Sequence, residues 1–183
     1  LFRAANCGVC ARTCTTGQVC SAGVCGTTCA PGLATCPAVG SAPPFCANTA
    51  VDPDNCGACG TVCALPSVAS NGCGGGACTV VRCIAGTGDC NGVAADGCET
   101  NLLTSAGNCG ACGRGCVLAN ATSTCAGGTC GLTTCNVDFA NCDGAVGNGC
   151  EVNTRTDNAN CGGCGVACGA GQVCLVVLRD DLR

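Results

Sequence analysis

The run Cys56-Gly57-Ala58-Cys59-Gly60-Thr61-Val62-Cys63 decides the architecture. It returns as Cys109-Gly110-Ala111-Cys112-Gly113-Arg114-Gly115-Cys116. It returns again, 52 residues on, as Cys161-Gly162-Gly163-Cys164-Gly165-Val166-Ala167-Cys168. An earlier and looser copy runs from Cys7 through Cys10 to Cys14. Self-similarity at a fixed period of this size marks a repeat architecture, in which each repeat is one small structural unit.

Working outward from the box, the half-cystines fall into sets of eight. The second set is Cys56, Cys59, Cys63, Cys73, Cys78, Cys83, Cys90 and Cys98, and the third repeats it from Cys109 to Cys150. The first, Cys7 to Cys46, is irregular around Pro43-Pro44, and a half set of Cys161, Cys164, Cys168 and Cys174 follows the third. The expected organisation is an atypical repeat over 1–55, repeats over 56–108 and 109–160, and a half repeat with a C-terminal strand over 161–183.

The expected fold is a tandem array of small disulfide-rich repeats, elongated and mostly irregular, with short β-hairpins and little or no helix. Gly74-Gly75-Gly76 and Gly127-Gly128 supply turns that need positive φ. Thr79–Arg82 and Leu175–Leu178 are the strand candidates, none longer than four or five residues, and no window carries the apolar period of a helix.

Composition agrees. The chain has 183 residues with 28 Cys and 31 Gly, and no His, Met, Trp or Tyr. Its large apolar residues are ten Leu, one Ile and three Phe, too few for a conventional interior. Cysteine at this density reads as a disulfide scaffold, which persists in an oxidising compartment and so predicts a secreted, extracellular or cell-surface protein. Leu1 in place of an initiator Met is read as the start of a processed product. The net charge of −4 and the absence of a basic run speak against nucleic acid, and no apolar stretch reaches the ~20 residues of a membrane span.

The runs Asp96-Gly97-Cys98-Glu99-Thr100-Asn101 with Asn108-Cys109-Gly110-Ala111-Cys112-Gly113, and Asn148-Gly149-Cys150-Glu151-Val152-Asn153 with Asn160-Cys161-Gly162-Gly163-Cys164-Gly165, resemble tandem cysteine-rich repeats of myxobacterial-type extracellular surface proteins. The Cys-Gly-x-Cys-Gly box is also similar to one in the stigma-specific cysteine-rich proteins of plants. The resemblance covers most of 46–174 and implies an extracellular location and a repeat architecture, with no chemistry attached.

Each reactive constellation has a structural reading beside it. The Cys-x-x-Cys pairs could contribute zinc ligands, but with no His every site would be Cys₄, and an oxidising compartment favours disulfides. A redox-active Cys-x-x-Cys needs a low-pKa thiolate, usually at a helix start or beside a cation; no helix is expected after any box, and there is no Lys or His to help. Asp89, Asn91, Asp96 and Glu99, repeated as Asn141, Asp143, Asn148 and Glu151, alternate Asx oxygens around Gly turns. Local Asx turns are the first reading and a weak calcium site the second. Calcium there is the single exception to an expectation of no cofactor. With no His or Lys to serve as a tuned base, catalysis is not expected. Asn120-Ala121-Thr122 is the single N-glycosylation sequon, and Ser and Thr are acceptors for O-linked sugars, so glycans enter as partners.

The functional expectation is an extracellular structural protein, a subunit or segment of a disulfide-stabilised fibre or surface matrix. The alternative is an adhesive, receptor- or glycan-binding module. Three corollaries accompany it. All 28 cysteines pair; the bridges of 161–174 stay inside that segment; and copies associate head to tail through Leu175, Val176, Val177 and Leu178.

Overall fold

A computed structural model describes residues 7–9, 12–38 and 43–174. The chain divides into two compact units, Leu1–Glu99 and Thr100–Arg183. Both are small irregular disulfide-rich β-hairpin folds, without an α-helix among the described residues.

The first unit opens with β1 (Val19–Ser21) and β2 (Val24–Gly26), joined through Ala22-Gly23, and continues with the pair β3 (Ala34–Cys36) and β4 (Phe45–Ala47). Its longest hairpin is β5 (Val68–Gly74) with β6 (Ala77–Cys83), and β7 (Thr87–Gly88) follows. The second unit holds β8 (Thr100–Asn101), the hairpin of β9 (Ala121–Ala126) and β10 (Thr129–Cys135), and the pair β11 (Phe139–Ala140) and β12 (Val152–Asn153). Single 3-10 turns at Ala94–Asp96 and Val146–Asn148 occupy matching places in the two units.

Strands of seven residues exceed the expected length of four or five. Segments such as Asn71-Gly72-Cys73-Gly74 carry little intrinsic strand preference, since Gly and Asn are depleted in strands. Two other constraints set these hairpins. The first is a two-residue turn with both residues at positive φ: Gly75 at 60° and Gly76 at 81°, Gly127 at 59° and Gly128 at 76°. Such a turn matches the twist of antiparallel strands. The second is cross-linking of both strands to the cysteine box. The Leu175–Leu178 strand candidate lies outside the described residues.

Twenty-six of the cysteines are disulfide-bonded. The first box cysteine takes the near strand of the hairpin that follows it: Cys7–Cys20, Cys56–Cys73 and Cys109–Cys125. The third takes the return strand: Cys14–Cys25, Cys63–Cys78 and Cys116–Cys130. The sixth and eighth pair as Cys29–Cys46, Cys83–Cys98 and Cys135–Cys150. The second box cysteine bonds backwards, to the seventh cysteine of the preceding set, as Cys36–Cys59 and Cys142–Cys164.

This pattern corrects two expectations. Cys164 bonds Cys142, so the bridges of the last segment do not stay within it. The physical reason is sidedness. In each box the sulfurs of the first and third cysteines gather within 4.8 Å of one another and of a cysteine that follows the box (Cys20, Cys78, Cys125 or Cys174), and the second cysteine is not among them. The second correction is that Cys168 is free. An even count per segment does not imply pairing within it, because a third box cysteine needs a return-strand partner 11 to 15 residues on. Residues 175–183 contain no cysteine.

The interior is cystine. Among the described residues, all but two of the buried apolar ones are cysteines, the exceptions being Val19 and Ala47, whereas Val117 and Val137 are 91% and 81% exposed. A bridge closing a 15-residue loop contributes about 3 kcal/mol on the chain-entropy account. Cross-links of that size replace the apolar burial this chain lacks.

Candidate functional site

The cysteine box is a tight loop closed by its own backbone. The amide of its first cysteine donates to the carbonyl five residues on: Cys56 to Thr61 at 2.8 Å, Cys109 to Arg114 at 2.7 Å and Cys161 to Val166 at 2.7 Å. The preceding Asn fixes the middle. Asn55, Asn108 and Asn160 accept the amides of Gly60, Gly113 and Gly165 at 2.8, 2.7 and 2.8 Å. Asn is used because a short amide side chain reaches a backbone N–H nearby in sequence.

The glycine after the first cysteine has a different task. Gly57 and Gly110 hold φ of 78° and 77°, and a Cβ on either would stand 2.7 or 2.5 Å from the carbonyl oxygen of the hairpin-tip glycine, Gly76 or Gly128. Box and hairpin meet there backbone to backbone. The tip amides anchor in turn, Gly76 donating to Ala50 at 3.2 Å and Gly128 to Leu103 at 3.1 Å.

The acidic boxes close on themselves. In the first, Gly92 donates to Asp89 Oδ1, Val93 to Asn91 Oδ1, the Asn91 amide to Asp96 Oδ2, and the Cys90 amide to Glu99 Oε1, all within 3.1 Å. In the second, Gly144 donates to Asn141 Oδ1, Ala145 to Asp143 Oδ1, the Asn148 amide to Asp143 Oδ2, and both Cys142 and Asp143 to Glu151 Oε1. The amide–carboxylate pair is swapped, Asn91 with Asp96 against Asp143 with Asn148, yet its single hydrogen bond is 2.8 Å in both. These donors hold Asp143 below the usual carboxylate range, the Ala145 amide first and the Asn148 side chain next. The eight residues singled out in the sequence are thus brought together four by four, as Asx turns with a glutamate clamp. Among the described residues, groups of three or more converging His, Cys, Asp or Glu side chains consist of cysteines, with no such carboxylate cluster.

The glutamate clamp and the Asn latch were not assigned as such from sequence. Their signal was recurrence one period apart. One more surface feature is a shallow apolar depression lined by Cys36, Pro37, Phe45, Cys59 and Gly60. No described helix is long and apolar enough to cross a membrane, and cross-linking this dense suits an oxidising environment. No protein-family model, curated protein or solved structure matches the chain, so its likeness to cysteine-rich surface repeats rests on the quoted motifs alone.

Proposed function

We propose that this chain is an extracellular structural protein, a segment or subunit of a disulfide-stabilised fibre or surface matrix. The observation that carries the reading is the backward bridge. Cys36–Cys59 and Cys142–Cys164 each tie one cysteine set to the next through a bond additional to the peptide chain. Load across those two joints is shared by a covalent cross-link, and the sets they join cannot be drawn apart without breaking a sulfur–sulfur bond. The near absence of aromatic side chains, 2% of the sequence, supports the material reading over adhesion, because binding hot spots are enriched in Trp, Tyr and Arg. Catalysis has no place in this reading, and association of copies through unlike ends extends it to filaments.

Electron microscopy of the native material tests it. Fibres or sheets that loosen on reduction are expected, and discrete particles bound to a soluble partner would overturn it.

A further inference from the structure

Where a box meets its hairpin, sulfurs of different bridges converge. Those of Cys56, Cys63 and Cys78 lie within 4.8 Å of one another, and so do those of Cys109, Cys116 and Cys125. The fourth sulfur of each centre is bonded to one of these three, Cys73 to Cys56 and Cys130 to Cys116. Each centre thus gathers four sulfurs from two adjacent bridges. The sulfurs of Cys36–Cys59, Cys83–Cys98, Cys135–Cys150 and Cys142–Cys164 join no such group among the described residues.

Four sulfurs around one point are the ligand set of a structural zinc ion. A tetrahedral zinc thiolate holds each sulfur about 2.3 Å from the metal, and hence about 3.8 Å from its fellows. The unbonded sulfurs here already approach that spacing. Hydrogen bonds rather than sulfur fix where these side chains start. The amides of Cys56 and Cys63 donate to Thr61 and Pro53, and those of Cys109 and Cys116 to Arg114 and Ala106, all at 2.7 or 2.8 Å. Cys73 faces Cys78, and Cys125 faces Cys130, as direct partners across a strand ladder. The box cysteines and Cys125 are buried, and Cys73, Cys78 and Cys130 are half-buried, so water has little access to the centre.

We propose that the thiol form of each centre is a zinc site, ligated by Cys56, Cys63, Cys73 and Cys78 in one unit and by Cys109, Cys116, Cys125 and Cys130 in the other. A small dithiol is the reductant. Two molecules of it open the two bridges and close to their own cyclic disulfides, leaving four thiols. Zinc then displaces the four thiol protons, takes the four thiolates and keeps its oxidation state. The metal joins box to hairpin in the thiol form, as the bridges do in the disulfide form. Ligation is not by the Cys-x-x-Cys pair, because Cys59 is outside the sulfur group and bonds Cys36 instead. The site stands independently of the fibre reading.

The test uses the full chain, reduced with a phosphine and titrated first with cobalt(II) and then with zinc. Cobalt should give the visible absorption of tetrahedral thiolate ligation, and zinc should remove it. Timed alkylation with mass mapping should show zinc slowing Cys56, Cys63, Cys73 and Cys78 by about tenfold or more, while Cys59, Cys83 and Cys98 keep their metal-free rates. Cys78→Ser should lose that protection in its own unit and keep it at Cys109, Cys116, Cys125 and Cys130. Cys59→Ser should leave both sites intact. Absence of the cobalt thiolate absorption, equal protection of every cysteine, or protection of Cys56 together with Cys59 that Cys59→Ser abolishes would overturn the assignment.

Discussion

Cys73 and Cys78 stand directly opposite one another across the β5–β6 ladder, yet neither bonds the other. Each reaches past its neighbour into the box, to Cys56 and Cys63. Cys125 and Cys130 repeat the arrangement with Cys109 and Cys116. Two staples side by side pin a hairpin to a loop, and the buried box cysteines with their half-buried strand partners Cys73 and Cys78 take the place that apolar side chains hold elsewhere.

Disulfide mapping of the unreduced chain should recover a peptide joining Cys142 to Cys164 and another joining Cys161 to Cys174. Alkylation without reduction should label Cys168. A Cys164 peptide linked within 161–174 would contradict the backward bridge.

Gly110 and Gly113 share nearly the same φ, 77° and 73°, but only Gly110 faces a backbone carbonyl, with nothing within 4 Å of Gly113. Gly113→Ala should cost roughly 1–2 kcal/mol from its left-handed backbone alone. Gly110→Ala should cost about 1–3 kcal/mol more, from overpacking against Gly128. Thermal melts of the oxidised variants separate the two.

Asn55 is 5% exposed and latches the Gly60 amide while its own amide donates to Asp52. Asn55→Ala removes both hydrogen bonds made by this buried side chain, from the Gly60 amide and to Asp52, and should destabilise by about 1–3 kcal/mol. The exposed latch of Asn160 onto Gly165 should yield less, about 0.5–1.5 kcal/mol on the same substitution. Equal losses would show that burial is not what sets the strength of the latch.

The Asp143 carboxyl is depressed below its ordinary value of 3.8, mainly by the Ala145 amide and then by the Asn148 side chain. A depressed folded value means that its contribution is present above 3.8 and is lost as pH falls through the lower, folded value. Carbon-detected titration should find the Asp143 midpoint below 3.8, and Asn148→Ala should move it upward. A midpoint unmoved by that substitution would remove the swapped pair from the explanation.

Calcium provides a separate check on the same loops. With the named oxygens of both acidic boxes accepting internal amides, millimolar calcium should leave the melting temperature within error of a chelator control. A clear rise, lost in Glu151→Gln, would establish the boxes as a weak oxygen-ligand site.

Much of this was legible in residue spacing. The recurring Cys-x-x-Cys-x-x-x-Cys spacing located every box, and Gly75-Gly76 and Gly127-Gly128 marked the hairpin tips because glycine takes positive φ at little steric cost. The destination of Cys59 was not legible, since the side of a loop from which a sulfur emerges depends on backbone closure between Cys56 and Thr61. Strand length escaped for a related reason. Asn71-Gly72-Cys73-Gly74 has no alternating apolar pattern, and its pairing follows from cross-links rather than from a buried face. The roles of Glu99 and Glu151 in closing the seventh-cysteine loop were visible only as recurrence without a mechanism.

The overlapping loops of the bridges also decide what one protease cut can do. From Cys29 to Cys78 the bridges Cys29–Cys46, Cys36–Cys59, Cys56–Cys73 and Cys63–Cys78 overlap in succession, so a nick anywhere between leaves both fragments joined. The same holds from Cys135 to Cys174, where cleavage after Arg155 falls inside the Cys142–Cys164 loop. Arg82 is different: it is exposed and lies between Cys78 and Cys83, where none of the described bridges crosses. Trypsin acting after Arg82 therefore parts the polypeptide in two without a reductant, while cuts at Arg155 stay silent on a non-reducing gel.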